Sequence, residues 1–161
     1  MQKVDHHFSF EVYDSVDELP ESDKTLIHKA RTTTAQAYAP YSNFLVGAVG
    51  RLSNGELVYG TNQENASFPA GICAERVLLS AASSLFPGVA IDTIAISYDN
   101  RNGESVRPVS PCGICRQSLL EYENRFHHPI RLILSGMKGK AYVVQNAADL
   151  LPLSFTSDDL K

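Results

Sequence analysis

The 161-residue chain has no apolar run near the ~20 residues that a membrane-spanning helix needs; its longest continuous apolar stretches are only a few residues. The first residues, MQKVDHHFSFEVYD, contain no apolar h-region, which argues against a secretory signal and for a cytoplasmic location. There is no basic excess: 14 Lys and Arg stand against 18 Asp and Glu, a net charge of −4. Such a balance argues against a protein that grips a polyanion. Residues 101–140 do carry seven basic side chains against three acidic ones. No aromatic stripe is interleaved with them, so a stacking platform for single-stranded nucleic acid is not visible, and solvated faces or subunit contacts are the plainer reading. Internal repeats and low-complexity segments are also absent. Cysteine is scarce and odd in number, with Cys73, Cys112 and Cys115 the full set, which fits poorly with a disulfide framework.

What remains is the composition of one ordinary globular domain. With 43% hydrophobic and 20% charged residues, a chain of this length builds its own core and buries roughly two-thirds of the surface its unfolded form exposes.

The apolar periodicity alternates between strand and helix. Residues 8–13 alternate through Phe8, Phe10 and Val12, a short edge strand. Pro20 to Tyr38 reads as a helix, with Ser22 as N-cap, Leu26, Ile27, Ala30 and Ala37 on one side, and Pro40 ending it. Phe44 to Arg51 and Glu56 to Gly60 flank Ser53-Asn54-Gly55, a hairpin signal. A second helix runs from about Cys73 to Phe86, and a β-branched strand from Val89 to Ser97. A third helix starts at Pro111, whose missing N–H costs nothing in a first turn, and runs to about Asn124. Ile130 to Leu134 and Ala141 to Val144 read as strands, and Ala147 to Leu151 as a last short helix. This order predicts an α/β fold, a three-layer α/β/α sandwich, and the antiparallel first hairpin makes its sheet of about five strands mixed.

The chemistry concentrates on the three cysteines. Cys112 and Cys115 are spaced to put two sulfurs on one side of a helix's first turn, where both reach one zinc ion at ~2.3 Å. Cys73, 39 residues earlier, opens another helix. Two helix N-termini meeting at one point stabilise thiolates through free N–H groups and dipoles. Three protein ligands with no evident fourth is the pattern of an open, catalytic zinc site; a structural site would have a fourth Cys or His. His6, His7, His28, His127 and His128 all fall outside the spacing and read as solvated or core-edge residues. Glu75 follows Cys73 by two and stands where a carboxylate takes a proton from an activated water and returns it to a leaving group. Taken alone, a Glu in a first turn reads as dipole compensation.

These segments carry a resemblance. Cys73-Ala74-Glu75-Arg76 and Pro111-Cys112-Gly113-Ile114-Cys115-Arg116-Gln117 are similar to the two zinc signatures of the small, homotetrameric cytidine deaminases. So are Tyr38 through Ala48, Asn62 through Ala66, and Leu150 through Phe155; together they span roughly residues 22–160. The resemblance implies a catalytic domain over residues 21–161, preceded by an extension over residues 1–20 that adds the edge strand. A cysteine rather than a histidine as first ligand points to deamination of free nucleosides.

The activity implied is hydrolytic deamination of cytidine and deoxycytidine in pyrimidine salvage. One zinc ion per chain is held by Cys73, Cys112 and Cys115, and Glu75 shuttles protons to N3 and to the departing ammonia. Arg76 resembles the family arginine that offsets the charge of three thiolates; unaided, it reads as a surface helix residue. Asn62 and Glu64 resemble the pair that grips the ribose 3′-hydroxyl, a donor–acceptor group suited to an amide and a carboxylate; without the family they read as turn chemistry. Phe44 resembles the aromatic stacked on the pyrimidine, and Val46 the apolar floor beside it; both otherwise read as strand core. The backbone of Ala74 and the carbonyl of Ser110 would face the base. Phe155 resembles an aromatic inserted into a neighbouring subunit, which implies a homotetramer with shared active sites. The partners implied are a small-molecule nucleoside and water, with no nucleic acid and no membrane.

Two positions depart from the family pattern: Phe68 stands where Tyr is common, and Leu45 where Pro is usual. They bear on affinity and tetramer stability and leave the reaction class unaffected. Blasticidin-S deaminase shares the zinc motifs and differs at the sugar contacts and the tail, where Asn62, Glu64 and Phe155 favour cytidine. A non-catalytic zinc-stabilised module would close the metal with a fourth protein ligand. A thiol redox protein using Cys112 and Cys115 would have no need of Cys73 or Glu75.

Overall fold

The computed structural model describes residues 1–161, and its core is a six-stranded sheet. In chain order the elements are β1 (Glu11–Tyr13), α1 (Glu21–Thr33), β2 (Phe44–Leu52), β3 (Leu57–Thr61), α2 (Ala74–Leu85), β4 (Ile91–Asn100), α3 (Gly113–Phe126), β5 (Arg131–Ser135) and β6 (Ala141–Val144). The strands lie in the order β1-β6-β5-β4-β2-β3. Only β4 and β5 run parallel. That pairing needs a crossover, and α3 supplies it. Every other pair is antiparallel, so the sheet is mixed.

Period-2 alternation decides which helix each strand residue meets. Ala48, Ile94, Ile96, Leu132 and Leu134 face α2 and α3, packing with Leu78, Leu79, Ala82 and Leu119. Their neighbours Val49, Ala95 and Ile133 face the other way, onto Leu26, Ile27 and Ala30 of α1. The α/β/α layering is therefore present, with six strands rather than about five because β1 pairs with β6 at the sheet edge. Of the alternation over residues 8–13, only Glu11–Tyr13 joins the ladder. Phe10, just before it, packs on Tyr142 at 5.1 Å between ring centroids.

Helix boundaries differ from the sequence reading at three places. α1 is capped by Pro20 rather than Ser22, and ends at Thr33 before a 3-10 turn over Thr34–Gln36. The extended backbone of Pro20 (ψ 148°) makes it the last residue outside the helix. Likewise Cys112 (ψ 169°) is the N-cap of α3, so Pro111 precedes the helix instead of opening it. The short helix after β6 is a 3-10 turn, Ala147–Leu150, capped by Asn146.

Two glycines let the layers close. A Cβ on Gly47 would stand 2.3 Å from the Ala30 carbonyl oxygen, and one on Gly60 would stand 2.2 Å from that of Ala74. These contacts seat α1 and the first turn of α2 directly on the sheet.

Candidate active site

Cys73 and Cys112 are the N-caps of α2 and α3, and Cys115 lies in the first turn of α3. The sheet brings the two helix starts together. The Sγ atoms of Cys73 and Cys112 are 3.8 Å apart, those of Cys112 and Cys115 3.5 Å, and all three lie within 4.8 Å of one another. Four ligands at ~2.3 Å in tetrahedral array have edges of about 3.8 Å, so these sulfurs already stand near the spacing that one zinc ion requires. No histidine, aspartate or glutamate joins the group, so a metal held here keeps a position free of protein ligands.

The charge on the three sulfurs is uneven. Hydrogen bonds from the Cys115 and Cys112 thiols, with the charge of Arg76, lower Cys73 to about 6. Cys115 is pushed far up, because its proton is held on Cys73 and because burial and the Glu75 charge oppose a second anion. Arg76 donates from Nη2 to the Gly71 carbonyl at 3.3 Å, while its Nε is buried without a partner. A half-buried guanidinium beside three sulfurs is suited to a cluster that gains negative charge as its thiols ionise.

Glu75 is 6% exposed in the first turn of α2. Burial pushes its carboxyl up, against a hydrogen bond from its own backbone N–H. It lies in the wall of a cavity of about 560 Å³ that is also lined by Cys73, Ala74, Ser110, Cys112, Phe44, Val46, Asn62 and Glu64. Most of the residues proposed from sequence thus line one space.

The cavity wall is held by contacts that sequence reasoning did not name. Phe44 stacks on Tyr98 with centroids 4.8 Å apart and rings 12° from parallel, leaving its other face free of that ring. Val46 is the register partner of Tyr98. Strand alternation was therefore the signal that could have placed Tyr98 on this face. Asn62 uses both polar atoms on the β2 backbone: Oδ1 accepts from Val46 N–H at 2.7 Å, and Nδ2 donates to the Phe44 carbonyl at 2.8 Å. One Nδ2 hydrogen remains for a ligand. Glu64 accepts from the Tyr41 and Ser42 N–H groups at 2.9 and 3.2 Å and from the Ser42 hydroxyl at 2.5 Å, which together hold its carboxyl below the usual range. Arg116, quoted in the cysteine motif with no assigned task, pins the loop before α3 by donating to the Pro111 and Leu150 carbonyls at 2.9 and 3.0 Å.

Arg76 and Phe155 lie outside this cavity. Both line a second space of about 750 Å³ between α2 and α3, where Gln117 Nε2 donates to the Phe155 carbonyl at 2.9 Å. Arg76 thus approaches the sulfurs from the side away from the cavity. Phe68, at 74% exposure, sits at the cavity mouth edge-on to Tyr41, with 5.8 Å between ring centroids. Leu45 is buried within β2.

The family model described as the cytidine and deoxycytidylate deaminase zinc-binding region matches residues 20–126. The chain is 35% identical over 136 residues to a cytidine deaminase of Sporosarcina psychrophila, covering 84% of this chain and 92% of the relative. It is 34% identical over 146 residues to a cytidine deaminase of Mycobacterium tuberculosis, covering 88% of this chain and 96% of the relative. The crystal structure of cytidine deaminase from Burkholderia pseudomallei superposes with a TM-score of 0.71 at 35% identity, over 85% of this chain and 100% of that one. The cytidine deaminase from Bacillus anthracis, at 14% identity and a TM-score of 0.58, is alike in fold.

Proposed function

Given that the chain belongs to the cytidine and deoxycytidylate deaminase family, we propose that it is a zinc-dependent enzyme that hydrolyses cytidine and deoxycytidine to uridine and deoxyuridine with release of ammonia. The observation that carries this reading is the three-sulfur cluster with no fourth protein ligand, set beside a buried glutamate in the wall of one cavity.

Cys73, Cys112 and Cys115 would hold the zinc, and when bound it supplies the Lewis acidity that makes a water a nucleophile near neutral pH. Glu75 does the proton work. Its raised carboxyl is suited to accept one proton from the attacking water and deliver it to N3 of the base, then to take the second from the oxygen now bonded to C4 and pass it to the amino group, which leaves as ammonia while the C4 carbonyl forms. Phe44 offers a ring face to the pyrimidine, with Val46 beside it, and the Ala74 backbone and Ser110 carbonyl stand within reach of its polar edge. Glu64, an acceptor, and the remaining Asn62 N–H are matched to a sugar hydroxyl that both donates and accepts. Arg76 moderates the negative charge of the sulfur ligands.

The cavity lining holds no lysine or arginine. This supports an uncharged nucleoside rather than a nucleotide or a nucleic acid, either of which would need its phosphate charge met. No helix is long and apolar enough to cross a membrane. Three unpaired cysteines suit a reducing compartment, which supports a cytoplasmic place in pyrimidine salvage. Exposed Ile114, Leu153 and Phe155 are candidates for subunit contact. They support a homotetramer in which Phe155 reaches a neighbour's site. Residues 1–20 act as an extension that lengthens the sheet by β1, and residues 21–161 form the catalytic domain.

The test is the ultraviolet absorbance of cytidine with purified protein, run in parallel after chelation of the metal. A fall at the cytidine band that disappears on zinc removal is expected. No change with cytidine or deoxycytidine at one zinc per chain would overturn the assignment, and turnover of blasticidin S in that case would redirect it.

A further inference from the structure

We propose that Asn102, in the loop after β4, is a positioning residue that holds Glu64 in its ligand-facing place and so sets recognition at the sugar end of the cavity; this rests on the reading of Glu64 as the acceptor of a sugar hydroxyl.

All three protein hydrogen bonds to the Glu64 carboxylate come from the short turn that leads into β2. Tyr41 and Ser42 N–H donate to one oxygen and the Ser42 hydroxyl to the other. That turn is closed from within by two hydrogen bonds, Asn43 N–H to the Ala39 carbonyl at 3.0 Å and Phe44 N–H to the Ser42 hydroxyl at 3.1 Å. Tyr41, Ser42 and Asn43 are exposed, and Asn43 takes a left-handed conformation (φ 55°), which is uncommon outside glycine. The loop after β4 braces it from outside, across some sixty positions of sequence. Asn102 Nδ2 donates to the Ser42 carbonyl at 2.9 Å, Asn102 Oδ1 accepts from Asn43 Nδ2 at 3.4 Å, and Arg101 N–H donates to the Asn43 carbonyl at 3.0 Å. The brace is itself shaped: Asn100 Oδ1 accepts from Asn102 N–H at 3.1 Å, and Asn100 N–H donates to the hydroxyl of buried Ser105 at 2.8 Å.

Ser42 is therefore held by its carbonyl on one side and holds Glu64 by its N–H and hydroxyl on the other. Asn102 does not itself line the cavity and touches none of the sulfurs; it acts through Ser42, the cavity residue that holds the Glu64 carboxylate. An asparagine suits the task because it donates to one residue and accepts from the next. An aspartate in its place would keep the acceptor and set a negative charge against the Ser42 carbonyl.

The experiment measures KM and kcat of zinc-loaded wild type, Asn102→Ala, Asn102→Asp and Glu64→Gln on cytidine and on 2′,3′-dideoxycytidine, which lacks the 3′-hydroxyl. Expected for Asn102→Ala is a rise in KM for cytidine of roughly three- to tenfold, the scale of one or two exposed hydrogen bonds, with kcat within about twofold. KM for the dideoxy analogue should not change, and Asn102→Asp should show the larger effect on cytidine. Glu64→Gln should narrow the difference between the two substrates further. If Glu64→Gln narrows it and both Asn102 variants leave it intact, the proposal is overturned while the reading of Glu64 stands. If Glu64→Gln leaves the difference intact, that reading fails and the proposal falls with it. An equal rise in KM for both substrates, or a matching loss of kcat, would make Asn102 a general structural residue and also overturn it.

Discussion

Gly60 of β3 lies so close to Ala74 at the start of α2 that a Cβ on the glycine would stand 2.2 Å from the alanine carbonyl oxygen and 2.6 Å from Leu78 N. Both obstacles are backbone, so neither can rotate aside. The helix that begins there carries Cys73 as its cap and Glu75 in its first turn, and the missing side chain is what lets both reach the cavity. Gly60→Ala is expected to lift the start of α2 and to destabilise the fold by about 1–3 kcal/mol, the usual scale of overpacking. Displacing a catalytic group by about 1 Å can cost ~10²-fold in rate, so kcat should fall by about that factor. Zinc content, kcat and the denaturation midpoint, measured together, check this; an active variant with the wild-type midpoint would show that α2 can sit higher without consequence.

Glu75→Gln keeps the shape of the side chain and removes its proton chemistry. Zinc content should stay at one per chain, because the sulfur cluster does not include Glu75. The expected loss in kcat is ~10²–10⁴-fold, the range for a positioned general acid–base. A variant with near wild-type turnover would assign the proton transfers elsewhere.

In metal-free protein Cys73 should be a thiolate at neutral pH, because it is lowered from 9.0 to about 6 by the thiols of Cys115 and Cys112 and by Arg76. Its reaction with iodoacetamide after chelation should rise through a midpoint near that value, and zinc should suppress it. The depressed native pKa also fixes the direction of the stability effect. Ionised Cys73 contributes to stability above the unfolded-state pKa, and the contribution is lost as the pH falls through about 6. An alkylation midpoint at the ordinary thiol value would contradict the arrangement.

Glu123 joins three parts of the chain. One carboxylate oxygen accepts from Ile130 and Ala147 N–H at 2.7 and 3.0 Å, and the other accepts from Ala148 N–H at 3.0 Å. Glu123→Gln turns one acceptor into a donor facing an N–H, and should cost about 1–3 kcal/mol, the penalty of an unsatisfied buried polar group. Burial raises this carboxyl despite the three donors. Its titration therefore favours the fold at pH below the unfolded value of ~4.3, and that contribution is lost as the pH rises through the native pKa. Urea midpoints across pH should show this slope in wild type and lack it in the variant.

Deleting residues 1–10 removes Phe10 from Tyr142 and loosens the attachment of β1 to β6. The cost should be about 0.5–1.5 kcal/mol, the scale of one aromatic pair. kcat on cytidine should be unchanged, since nothing in this segment lines the cavity. A loss of turnover would give the extension a part in catalysis and redraw the boundary at residue 20.

The grouping of the cysteines and the order of the elements were legible in the sequence. Cysteine spacing is a local property of a helix's first turn, and apolar periodicity reports which face of a strand or helix is buried, so the Cys112 and Cys115 pair and the α/β alternation could be read without coordinates, while the resemblance set Cys73 and Glu75 beside them. Helix boundaries were legible only to within a residue or several: whether Pro111 or Cys112 caps α3 depends on a backbone angle set by the loop that Arg116 pins. Contacts between distant segments could be expected only where the family resemblance supplied them, as for Cys73 and Arg76 beside the Cys112 and Cys115 pair. Tyr98 behind Phe44, Gly60 under Ala74, and Asn102 on the turn that holds Glu64 each join residues that only strand pairing and helix docking bring together. Which distant partner a side chain meets is fixed by the sheet order β1-β6-β5-β4-β2-β3. That order is a property of the whole packed core, and no local stretch of the chain encodes it.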